Sequence, residues 1–243
     1  MDYLLLLSSI AAGALTLRWL RLDRPGSIKL LNAFTGAYLL CITFLHLLPE
    51  LYADPSAPSV PGSGHGPSTA GVLILIGFFV QVLLDSLSRG IEHGHAHPLH
   101  GHAPIGVMVG LCLHAFVEAL ALGNPDSHHD PDSRRMLLWS IVIHNYPVSI
   151  ALLGMLLHSG MARGPALACL GGFALMAPLG LLLSSQTGLA SHSRELTAFV
   201  IGIFMHMATT ILFESSDEHR FNRAKMVAIA VGTGLGILTV SMH

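Results

Sequence analysis

The chain has 243 residues, of which 52% are hydrophobic and only 11% charged, with a formal net charge of -2. Charged residues make up roughly 25% of a typical soluble domain, so this composition excludes an ordinary water-soluble surface. No basic stripe is present, which argues against a nucleic-acid partner. Charges sit in short clusters between long apolar runs, as they must where a charge at the bilayer centre costs several kcal/mol.

A helix crosses the hydrocarbon core in about 20 residues. That ruler predicts eight spans, over residues 2–20, 28–51, 69–89, 103–123, 135–158, 163–184, 194–214 and 223–241. The reading is an all-α integral membrane protein forming a single transmembrane domain over 1–243. The first span is read as retained, because Asp2 precedes it and Arg18, Arg21 and Arg24 follow it, the reverse of a signal peptide. Lys and Arg in the loops set the orientation. With both termini outside, Arg18, Arg21, Arg24, Lys29, Arg89, Arg163, Arg220, Arg223 and Lys225 lie inside, against Arg134, Arg135 and Arg194 outside. Short loops and the absence of a targeting segment point to a prokaryotic cytoplasmic (inner) membrane.

Along the chain, the second span holds Gly36 and ends in His46 and Glu50, and the seventh holds Gly202 and ends in Glu214. Crossing in opposite senses, they suggest inverted repeats. His46 and Glu50 are i and i+4 at the outer end, either an entrance site or interfacial residues reaching water. Asp85 near the inner end of the third span either lines an exit or caps a helix. The loop Glu92-His93-Gly94-His95-Ala96-His97-Pro98-Leu99-His100-Gly101-His102 is predicted to gather metal loosely at the cytoplasmic exit. His128 and His129, with Asp126, Asp130 and Asp132, form an outer cluster that either attracts cations or is a solvated turn.

Ionisable groups at membrane depth are the strongest signal. His114 and Glu118 in the fourth span share one helical face by their i, i+4 spacing. The fifth span carries His144, Asn145 and Pro147; proline cannot donate to the Ile143 carbonyl, so a kink with a free oxygen is expected there. His114 lies ~16 Å from the inner end of its span and His144 ~15 Å from the outer end of its own, at the usual rise per residue. Both histidines therefore fall near the midplane. Imidazole and carboxylate together suit zinc and similar first-row metals, with Fe2+, Mn2+ and Cd2+ served by the same donors.

These motifs, His46-Leu47-Leu48-Pro49-Glu50, His114-x-x-x-Glu118, His144-Asn145-x-Pro147, the His-rich loop and Pro178-Leu179-Gly180, resemble in order those of the ZIP family of divalent-metal (zinc) transporters. The resemblance implies eight helices in a 3+2+3 arrangement with inverted repeats, zinc uptake into the cytoplasm, and no cofactor beyond the transported ion. Metal ligands would be His114, Glu118 and His144, completed by Asn145 or water; His46 and Glu50 would mark the entrance and Asp85 the exit. A homodimer is a further expectation. Val148 and Ala177 stand where fuller motifs have acidic residues, and Ala115 and Ala119 replace a polar residue and a glycine. One metal ion is therefore expected in place of two. The rivals are a non-transporting metal sensor on the same fold and a membrane di-metal enzyme. The enzyme reading is weakened because the His clusters at 93–102 and 128–129 fall on opposite sides of the membrane, and no His-Glu-x-x-His is present.

Overall fold

The structure is a computed structural model that describes residues 1–20, 25–53, 68–88, 105–123, 131–214 and 223–242. Among the described residues the ordered elements are helical. They are α1 (Asp2–Leu20), α2 (Pro25–Ile42), a π turn (Thr43–Leu47) leading into α3 (Leu48–Ala53), α4 (Thr69–Ser88), α5 (Ile105–Leu120), α6 (Pro131–His158), α7 (Arg163–Gln186), a 3-10 turn (Gly188–His192), α8 (Ser193–Glu214) and α9 (Arg223–Ser241). A helix satisfies its own backbone groups, which is why apolar runs in lipid take this form. Hydroxyls in the spans follow the same rule: Thr35 bonds the carbonyl of Leu31, Ser140 that of Met136 and Thr209 that of Met205.

Six helical stretches are long and apolar enough to cross a membrane: 28–53, 69–86, 134–158, 163–186, 193–212 and 223–241; α1 and α5 supply shorter apolar helices. The chain is a multi-pass, all-α membrane protein. Three predicted boundaries shift. The second span is broken by the π turn instead of running straight, α6 begins at Pro131 instead of 135, and α5 ends at Leu120, with Gly123 at a φ of 47° beyond it. Helix α6 continues through Pro147 as one helical element. At its far end Gly160 takes a φ of 84° and Met161 N–H bonds the Leu156 carbonyl, closing the helix.

Helix α4 packs on α8 and α2 on α9, with α2 also meeting α8; α5 packs on α7 and α1 on α6. Exchanging α1 with α7, α2 with α8, α4 with α9 and α5 with α6 maps these pairs onto one another. Successive spans alternate in direction, so the exchanged helices run oppositely. This is the 3+2+3 inverted arrangement. Glycines make the close pairs possible. Gly77 of α4 faces the Phe199 carbonyl of α8, and Gly202 of α8 faces the Ile74 carbonyl of α4. Gly232 of α9 faces Phe34, Gly180 of α7 faces Phe116, and Gly13 of α1 faces Tyr146. Gly171, Gly172 and Gly234, by contrast, meet nothing within 4 Å.

Helix α6 is the centre: 83% of its spanning segment is buried, against 11% for α9 and 17% for α4. The rim helices turn Leu75, Phe79, Leu83, Val227, Val231 and Leu238 outward, as lipid-facing residues should be. Basic side chains close helix ends: Arg134 donates to the Leu122 carbonyl and to Asp2 at 2.6 Å, Arg194 to the Leu51 carbonyl, and Lys225 to the Leu212 carbonyl. Cys41, Cys112 and Cys169 are free, half-buried thiols, and Cys112 and Cys169 pack against an apolar cluster.

Candidate metal centre

Two apolar clusters divide the bundle by height. One holds Leu6, Ala119, Leu122, Ile141, Val142 and Ala177; the other holds Ile10, Leu111, Ala115, Val148, Ile150 and Phe173. Along α5 the break falls around His114 and Glu118, and along α6 around His144 and Asn145. A polar layer thus lies between two apolar ones, near the middle of the long, buried α6.

Within that layer three side chains converge. His114 Nε2 lies 3.2 Å from Glu118 Oε1 and 3.1 Å from His144 Nε2, and His144 Nε2 lies 3.7 Å from Glu118 Oε2. One ligand atom from each residue fits within 4.8 Å of the others. The i, i+4 spacing on α5 brings the first pair together; packing of α6 supplies the third member. In a tetrahedral zinc shell with bonds of about 2.0–2.1 Å, neighbouring ligand atoms lie about 3.3–3.4 Å apart. The observed spacings bracket that value. All three side chains are at most 1% exposed. A carboxylate this dry is expensive without a positive charge beside it, and the two imidazoles present nitrogen lone pairs or protons to it.

Asn145 is also fully buried, and neither atom of its amide has a hydrogen-bond partner among the described residues. Val148 is 2% exposed within one apolar cluster and Ala177 is fully buried in the other, so neither position adds a donor to this layer. His114 has an outer partner that sequence reasoning missed. Its Nδ1 lies 2.9 Å from Oε1 of Gln81, a fully buried residue on α4. The available signal was a polar residue in the middle of an apolar run, one turn before Asp85.

Among the described residues, His46, Glu50 and Asp85 are not part of this cluster. His46, within the π turn, and Glu50, just past it on α3, pair with each other at 3.7 Å, with Glu50 35% exposed. His206 of α8 approaches Asp85 to 3.8 Å. His206 faces α4, with Phe78 set edge-on at 5.0 Å and Thr210 beside it. Glu92, His93, His95, His97, His100 and His102 lie outside the described residues, as do His128 and His129.

A family model described as ZIP Zinc transporter matches residues 100–239. Zinc transporter ZIP9-B of Xenopus laevis is 28% identical over 152 residues, covering 57% of this chain and 50% of the relative. Zinc transporter ZIP9 of Xenopus tropicalis gives the same figures. Zinc transporter ZIP9 of Micropogonias undulatus is 28% identical over 151 residues, covering 57% of this chain and 49% of the relative. The chain spans about half the length of the curated relatives it matches. The matched segment includes α5 and α6 with their convergent His114, Glu118 and His144, and the chain belongs to the ZIP zinc transporter family.

Proposed function

We propose that the protein carries a divalent cation, zinc foremost, across the membrane through one midplane site. His114, Glu118 and His144 are its ligands, and Asn145 or a water molecule completes the shell. The observation that supports this most is the convergence of three dry donors at zinc-like spacing between two apolar layers. The unpartnered amide of Asn145 is consistent with a group held in reserve for the ion. With Val148 and Ala177 apolar and buried, a single ion fits better than a pair bridged by carboxylates.

In this reading the ion enters past His46 and Glu50, sheds water onto the midplane donors, and leaves by Asp85 toward the His-rich loop. Direction is inward, with both termini outside, by the Lys and Arg distribution and the family likeness. Apolar layers above and below exclude water, so each change of access exposes the site to one side only. Membership of a transporter family favours carriage over a membrane metalloenzyme.

Zinc uptake into proteoliposomes tests the reading, with wild type compared against His114→Ala and Glu118→Ala. Wild type should carry zinc, and each variant should lose at least 10-fold of that flux while still eluting as a folded protein. Absence of flux in wild type across a panel of divalent metals would sink the transport reading and leave a sensor on the same fold.

A further inference from the structure

We propose that Gln81 is a positioning residue of the metal centre, fixing His114 as the tautomer whose Nε2 lone pair faces the ion. The proposal rests on the midplane reading above. His114 Nδ1 lies 2.9 Å from Gln81 Oε1, an oxygen that can only accept, so the bond calls for a proton on Nδ1, and the same ring turns Nε2 toward Glu118 and His144 at 3.2 and 3.1 Å. A neutral imidazole carries one proton. Holding that proton on Nδ1 leaves Nε2 bare, which is the form a metal requires. Both Gln81 and His114 are fully buried, so the bond lies away from bulk solvent. Without the glutamine oxygen, the buried Nδ1–H would lose this bond, and the ring would gain by moving the proton to Nε2.

The position of Gln81 is set from outside the site. One turn earlier on α4, Gly77 presses against the Phe199 carbonyl of α8; one turn later, Asp85 meets His206 of the same helix. Helix α4 is thus held chiefly by α8, and it presents Gln81 to α5 across a smaller contact. The outer partner thus comes from a helix packed chiefly on α8, and the ligand from a helix packed chiefly on α7. An amide also differs from the carboxylate that often backs a zinc-binding histidine. It orients the ring without adding negative charge, which suits an ion that must leave.

The test uses the purified full-length chain in detergent. Zinc affinity is measured against a competing chelator, cobalt binding by its visible spectrum, and flux in proteoliposomes as separate KM and kcat. Gln81→Leu should weaken zinc and cobalt binding 10- to 100-fold and change the cobalt band. Gln81→Glu keeps the acceptor and adds charge, so it should bind at least as tightly as wild type, with a lower KM and a lower kcat as release slows. Wild-type affinity in Gln81→Leu would overturn the proposal. So would a Gln81→Glu variant as weak as Gln81→Leu, which would mark Gln81 as a packing residue only. If Gln81→Leu does not fold, Gln81→Glu carries the test: weakened binding, or an unchanged KM and kcat, would overturn the proposal. If wild type binds no metal, or His114→Ala binds as well as wild type, the midplane reading itself fails and this proposal falls with it.

Discussion

Among single residues, the midplane layer is governed by the cost of burying charge. Glu118 is dry, and its neighbours are two imidazoles. Protons and a metal ion compete for the same imidazole nitrogens, so the sign of the pH effect follows directly. Zinc affinity should fall as pH drops, because a proton on an imidazole nitrogen occupies the lone pair the metal needs. Chelator competition across pH 5 to 8 checks this, and a flat affinity would count against imidazole ligation. Residue identity and helical spacing make His114 and Glu118 legible in the sequence, because i and i+4 share a face whatever surrounds the helix. His144 is legible by depth. Gln81 is not, because a lone polar side chain in a span gains meaning only from what it touches.

Among the helices, α4 and α8 meet through reciprocal glycines. A methyl group at Gly77 or Gly202 would collide with a backbone carbonyl, which cannot swing away as a side chain can. Gly77→Ala and Gly202→Ala should each destabilise the folded protein by about 1–3 kcal/mol, the usual cost of overpacking. Gly171→Ala and Gly234→Ala meet nothing within 4 Å and should be neutral or stabilising by roughly 0.5–1 kcal/mol, since alanine costs less helix entropy. Thermal unfolding in detergent separates the two classes. The sequence marks all four as glycines in apolar runs and does not rank them. The π turn at Thr43–Leu47 carries a faint signal, since Pro49 just beyond it cannot donate to the Leu45 carbonyl within the turn. It lies where the second span meets α6 and α8, and such turns recur at functional positions.

Across the whole bundle, the pairing of helices repeats on exchange of the first and last three. The faint echo between Gly36 and Gly202 carries little weight alone; the packing of α4 on α8 and of α2 on α9 gives it content. Orientation in the membrane is a property of the entire chain too. A cysteine introduced at Ser63 in a chain stripped of its native cysteines should react with an impermeant thiol reagent from outside. One at Gly94 should react only after permeabilisation. The reverse pattern would invert the direction of the proposed path.

Local chemistry is enough to specify the class of molecule, the approximate spans, and the residue types at membrane depth. Apolar transfer free energy, summed over about 20 residues, marks the spans, and the helical period places i and i+4 together. It takes the packed bundle to show that His144 meets His114, that Gln81 backs His114, that Asp85 faces His206, and which glycines touch carbonyls. These depend on which face of one helix lies against which face of another. Interfaces between helices in lipid are chosen by steric fit and interhelical hydrogen bonds more than by hydropathy, so composition and period carry little record of them.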